Sequence, residues 1–149
     1  MIKLIVLETY FWIQSLNKKQ GEANVIRALC VLQDLIKKYM FVNYHIENWV
    51  FIIDTGNMGL FDLPINGLKL IIQTMSLNYC ACMDKTYILN PSFGLKTSWS
   101  IVSAMMDQES VEKITMLKKD KFNKIFEKIP EECLEKKYGG KLPNLTVFW

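Results

Sequence analysis

The sequence predicts an α/β domain with a mixed, mostly parallel sheet of about four to five strands and flanking helices. Three observations carry this. Short apolar runs rich in β-branched and aromatic residues alternate with longer stretches whose apolar residues recur every three or four positions. One run, Trp49-Val50-Phe51-Ile52-Ile53, is apolar at every position, as in a strand covered on both faces. Half of the 149 residues are hydrophobic, enough to bury one sizeable core.

Residues 4–12 read as the first strand. Gly21 then precedes a helix with Val25, Ile26, Leu29, Leu32, Ile36, Tyr39 and Met40 at helical spacing. Residues 49–54 form the second strand, followed by a glycine-bearing loop as far as Gly59. Asp62 and Pro64 suit a helix start, and Ile65, Leu68, Ile71, Ile72, Met75 and Tyr79 make one stripe. A short strand over 86–89 ends at Asn90-Pro91. Leu95, Trp99, Val102 and Met106 mark a helix over 94–106, and 113–117 is the fourth strand. Asp120 can cap a last amphipathic helix with Phe122, Ile125, Phe126 and Ile129 on one face and Pro130 stopping it. Gly139-Gly140 closes another short helical turn. There is no internal repeat or linker, so residues 1–149 read as one domain.

Several function classes fall away. Eighteen Lys plus Arg against 15 Asp plus Glu give only +3, and Arg27 is the sole arginine. No nucleic-acid partner is expected from that balance. Cys30, Cys80, Cys82 and Cys133 lack zinc-site spacing, and the single His45 has no neighbouring ligand type. No metal or other cofactor is expected. The N-terminus offers no small-residue cleavage site, no run of 18 apolar residues occurs, and unpaired thiols suit a reducing cytosol. The expected setting is therefore cytoplasmic.

Asp54-Thr55-Gly56 after an apolar strand matches the aspartic-protease signature, in which two carboxylates share a proton. That enzyme needs a second such Asp and a β-rich fold, and this chain has one triplet and several long helical stretches. The alternative is that Asp54 ends a strand and hydrogen-bonds the turn. Gly56-x-x-Gly59 lacks the third glycine of a dinucleotide site, and no Ser-His-Asp or Cys-His set is visible. No catalytic residue is assigned and no enzyme is expected. The lysines at 118, 119, 121, 124 and 128 offer at most weak attraction to an anionic surface.

The order of VFIIDTGNMGL, NYCACMDKTYILNPSFGLKTSWSIVSAMMDQESVEKITML and IPEECLEKKYGGKLPNL resembles the CRAL-TRIO domain. That is the lipid-binding domain of retinaldehyde-binding, tocopherol-transfer and fungal phosphatidylinositol-transfer proteins. Asp54 with Gly56 stands where the family ends an apolar strand. Tyr87 to Asn90 matches the family's strand ending Asn-x-Pro, with Pro91 one place early and Phe93 in the aromatic position, and Asp107, Lys113-Ile114, Leu134 and Tyr138-Gly139-Gly140 follow in order. Met1 stands almost at the first strand, so the family's helical N-terminal domain is expected to be absent.

The resemblance implies a lipid or other hydrophobic small molecule held in an apolar pocket and carried between membranes or presented, with transient contact to a membrane surface. The helix over 94–106 resembles the family's gate over that pocket. Sheet alternation puts Trp49, Phe51 and Ile53 on one face. The candidate lining is these three with Met75, Tyr79, Tyr87, Leu89, Phe93, Leu95, Trp99, Val102 and Met106. Phosphatidylinositol exchangers place hydroxyls on the second strand and a headgroup Glu where this chain has Ala81, whereas their headgroup Lys is matched by Lys113. An apolar ligand is therefore expected over an inositol lipid. The alternative within the family is a protein-interaction or regulatory module without exchangeable ligand.

Overall fold

Four strands and four α-helices alternate along the chain in the computed structural model, which describes residues 3–8, 21–56, 65–79 and 82–144. The strands are β1 (Lys3–Glu8), β2 (Trp49–Asp54), β3 (Met83–Leu89) and β4 (Ile114–Leu117). The helices are α1 (Gly21–Met40), α2 (Ile65–Asn78), α3 (Phe93–Ser103) and α4 (Gln108–Glu112). The sheet order is β1-β2-β3-β4 and every pairing is parallel. The sequence reading expects a mixed sheet. Among the described residues none of it is antiparallel, because each connection between neighbours carries a helix that returns the chain in the same direction. Residues 9–12 and 57–64, with the expected glycine-bearing turn as far as Gly59 and the helix start at Asp62 and Pro64, and Cys80 and Ala81 lie outside the described residues.

Successive right-handed crossovers in a sheet of this order stack their helices on one face. Accordingly α2 packs beside both α1 and α3. The opposite face is covered by 3₁₀ segments after β4, at Lys119–Glu127, Glu131–Cys133 and Lys136–Tyr138. That second layer is closed. Val50, Ile52, Tyr87, Leu89 and Leu117 from the sheet meet Phe122, Ile125, Ile129, Leu134 and Tyr138 in one buried cluster. Each fully buried aliphatic side chain there contributes roughly 1.5–3 kcal/mol.

The last expected amphipathic helix is thus a 3₁₀ helix. It starts after Lys118, which makes no side-chain cap, and Asp120 sits in its first turn. Three residues per turn put Phe122 and Ile125 in line, and both are buried. Tyr39, placed by periodicity on the inner stripe of α1, is 70% exposed and lies under the Lys38 ammonium. Its neighbour Met40 takes the inward position.

Two caps account for boundaries that periodicity misses. Ser92 accepts from the Leu95 N–H and starts α3 at Phe93. Asp107 accepts from the Ser110 N–H at 2.8 Å and from its hydroxyl at 2.7 Å, which starts α4. These bonds hold the Asp107 carboxyl below its ordinary value. α3 therefore ends at Ser103, and Met105 and Met106 lie in the turn between two helices.

Candidate functional site

The helix-covered face of the sheet is built around Trp49. Its ring lies 5.4 Å from Phe41, 5.6 Å from Phe51 and 6.2 Å from Tyr79. Ile36 completes the buried centre, and Cys30, Leu32, Met40, Met75, Cys82 and Met83 pack against it. The pairing slips between Trp49 and Val50, which face Met83 and Lys85, so Asp84 is the extra residue of a bulge. Beyond it, Phe51 pairs with Thr86 and Ile114, and Ile53 with Ile88 and Met116. Pairing across a parallel sheet keeps partners on one face, so beyond the bulge this face of β2, β3 and β4 is apolar apart from Thr86.

The two faces differ in coverage. On the closed face Val50, Ile52 and Leu89 are wholly buried, although β2 and β3 are central strands. On the helix-covered face Thr86 and Ile88 of β3 are buried, whereas Phe51 and Ile53 of β2 and Ile114 and Met116 of the edge strand β4 remain partly exposed. α1 and α2 seal the Trp49 end of this face more completely than the Ile53 end.

The structure brings together Trp49, Phe51, Met75 and Tyr79 from the expected lining. Ile53 shares their face by alternation. Leu95 and Val102 of α3 are buried, Trp99 and Met106 are partly exposed, and Phe93 is 74% exposed. Tyr87 and Leu89 are a correction, because they point to the opposite face and belong to the closed core. Burial pushes the Tyr87 hydroxyl up from its ordinary range, and it donates to the Lys124 carbonyl at 3.3 Å. Lys113 forms a surface ion pair with Glu109 at 2.7 Å.

Asp54 serves the turn. Its Oδ1 accepts from the Gly56 N–H and from Asn90 Nδ2, each at 3.0 Å, while the Thr55 hydroxyl donates to the Leu89 carbonyl. These bonds tie together the C-terminal ends of β2 and β3, with Asn90 in the left-handed region at φ 51°. Among the described residues no three His, Cys, Asp or Glu side chains group to hold a metal ion.

Sequence reasoning missed the wall that α1 supplies. The Tyr79 hydroxyl, shared between the Cys30 carbonyl at 3.0 Å and Asp34 Oδ1 at 2.9 Å, fastens the end of α2 to α1. Gln33 is buried in the same helix, and its Nε2 lies 3.7 Å from the Met75 sulfur. The signal was present, since Gln33 interrupts an inner stripe of Val25, Leu29, Leu32 and Ile36.

Burial, and then the hydrogen bond to Asp34, push the Tyr79 hydroxyl well above its ordinary value of 10.0. The folded protein therefore keeps a proton that the unfolded chain releases above pH 10.0, and stability falls as pH rises through that range. Tyr79→Phe should cost about 1 kcal/mol at pH 7 and flatten the alkaline fall in urea-unfolding free energy. An equally steep fall in the variant would remove Tyr79 as its cause.

The CRAL/TRIO domain profile matches residues 8–140, and the chain belongs to that family, whose members bind and transfer lipids. It is 30% identical over 99 residues to the phosphatidylinositol/phosphatidylcholine transfer protein SFH4 of Arabidopsis thaliana, covering 64% of this chain and 16% of the relative. The CRAL-TRIO domain-containing protein YKL091C of Saccharomyces cerevisiae is 27% identical over 124 residues, 74% of this chain and 40% of the relative. The chain thus spans less than half the length of either curated relative. The crystal structure of Sfh5 superposes with a TM-score of 0.67 at 16% identity, over 93% of this chain and 48% of that one. That likeness establishes the shared fold. No helix among the described residues is long and apolar enough to cross a membrane.

Proposed function

We propose that the domain holds a hydrophobic ligand or phospholipid between the Phe51–Ile53 face of the sheet and helices α2 and α3, and carries it between membranes or presents it. The observation that carries this reading is the unequal coverage of the two faces. Central strands in a folded domain are normally packed on both sides, yet only the helix-covered face leaves Phe51 and Ile53 partly exposed. A lipid chain is the natural filler for such a surface, and family membership supports the same class of ligand. In this reading α3 is the gate, with Leu95, Trp99 and Val102 turned to the ligand when closed and Met106 following in the turn after it. Its work is binding, without catalysis, in the cytoplasm and at membrane surfaces.

The ligand preference follows from desolvation. A buried inositol phosphate needs donors that replace its water, whereas this face offers Trp49 and Phe51, and Lys113 is already paired with Glu109. Exchange between vesicles should therefore be faster for phosphatidylcholine than for phosphatidylinositol. Faster transfer of phosphatidylinositol than of any other lipid tested would contradict this preference. No exchange of any lipid, with a protein partner captured instead, would favour a regulatory module.

A further inference from the structure

α1 has two unlike sides. Val25, Gln33 and Ile36 are buried, with Leu32 and Met40 packed in the Trp49 cluster. On the opposite side Arg27, Ala28, Val31, Asp34, Leu35 and Tyr39 are all exposed. Val31 is 57% exposed, Leu35 47% and Tyr39 70%, at steps of four residues along the helix. One such residue on a surface is ordinary, but three in line make an apolar strip.

The charges on this side are complementary along the axis. Arg27 and Asp34 stand seven residues apart, which at 3.6 residues per turn sets them almost in line and about 10 Å apart. Val31 lies between them. Arg27, the sole arginine, has no ion-pair partner among the described residues. The Tyr79 hydroxyl donates to Asp34 Oδ1 at 2.9 Å and steadies the carboxylate, whose second oxygen can take a further donor.

We infer that this side of α1 is an interface with a second copy of the chain, the two helices packing antiparallel across a two-fold axis beside Val31. Two-fold symmetry makes each contact occur twice. Arg27 meets the partner's Asp34, and Asp34 meets the partner's Arg27, while the two Val31 side chains meet near the axis. Leu35 falls over the partner's Ala28, whose small side chain admits the approach of about 8–10 Å usual for packed helices. A parallel pairing would set like charges together, so the charges select the antiparallel one. A membrane is the poorer occupant, because Asp34 would face its anionic headgroups. One helix stripe buries less than the roughly 1,200 Å² of a standard interface, so the dimer is weak. The apolar strip supplies the attraction and the charges fix the register. The inference is independent of the lipid-pocket reading, since the strip points away from the Trp49 cluster.

The test measures the mass of the full chain by sedimentation equilibrium from about 1 µM to about 1 mM, a range that brackets a weak dimer. The wild type should pass from monomer to dimer across it. Arg27→Asp should raise the dissociation constant at least about tenfold, because it opposes two carboxylates. Asp34→Arg should do the same by opposing two cations. A mixture of these two variants should associate although neither does alone, since each supplies the charge that the other lacks. Val31→Asp should abolish association with little change in melting temperature.

A wild type that stays monomeric throughout overturns the inference. So does a dimer that Arg27→Asp leaves intact, or a mixture of the two folded variants that does not associate. A monomer that floats with phosphatidylserine vesicles, and ceases to do so as Val31→Asp, gives the strip to a membrane and overturns it too. Should Asp34→Arg fail to fold without its Tyr79 bond, Arg27→Asp and Val31→Asp decide alone.

Discussion

Gly140→Ala is expected to destabilise the protein by roughly 3 kcal/mol or more, seen as a large drop in the urea midpoint. A Cβ at this position would stand 2.0 Å from the Leu134 carbonyl oxygen and 2.4 Å from its carbon. Both are backbone atoms, which cannot swing aside as a long side chain can. Leu134 and Tyr138 are buried in the closed core, and the Leu134 carbonyl accepts from the Leu142 N–H at 2.9 Å. Making room for one methyl therefore pulls on the core and on the bridge between Glu135 and Leu142 together. Gly139→Ala is the comparison. Gly139 caps the last 3₁₀ turn at φ 93°, and its nearest Cβ neighbour is the Phe126 ring at 3.6 Å. It should cost only the backbone strain, about 1–3 kcal/mol. Equal and small losses in the two variants would mean that the close approach at Gly140 is not a constraint.

Trp99→Ala should lower lipid transfer between vesicles at least about tenfold, as expected when a membrane-facing aromatic anchor is lost, while the melting temperature drops only a little. Trp99 is partly exposed on α3, so its removal opens little of the core. Leu95 and Val102 on the same helix are buried, and Leu95→Ala should instead cost about 2–5 kcal/mol. The contrast separates a gate from a scaffold. Phe93 is 74% exposed at the start of α3 and, on the proposed reading, would be a second apolar contact for a bilayer. Unfolding of the Trp99 variant, or unchanged transfer, would make α3 an ordinary structural helix.

The strands were legible wherever apolar runs met a turn signal. Residues 49–54 end at Asp-Thr-Gly, and β2 has those bounds. α1 was equally plain from its spacing and from Gly21. The candidate site was less legible, for three physical reasons. Tyr87-Ile88-Leu89 is apolar throughout, so no alternation tells which side chains face the helices. Only the register with β2 and the bulge at Asp84 send Tyr87 and Leu89 to the closed core. Lys113 stands at the end of α4, a five-residue helix too short for periodicity to reveal, and its partner Glu109 lies within that helix. Gln33 stands by spacing on the inner stripe of α1, but a polar residue there does not reveal what it meets. Its burial arises from the approach of Met75, 42 residues away.

Native mass spectrometry of the purified full chain tests the central claim most directly, before and after incubation with phosphatidylcholine vesicles. The account predicts the chain mass plus one lipid, released on organic extraction. A chain that purifies without ligand and takes up none from the vesicles, while folded by circular dichroism, would contradict it.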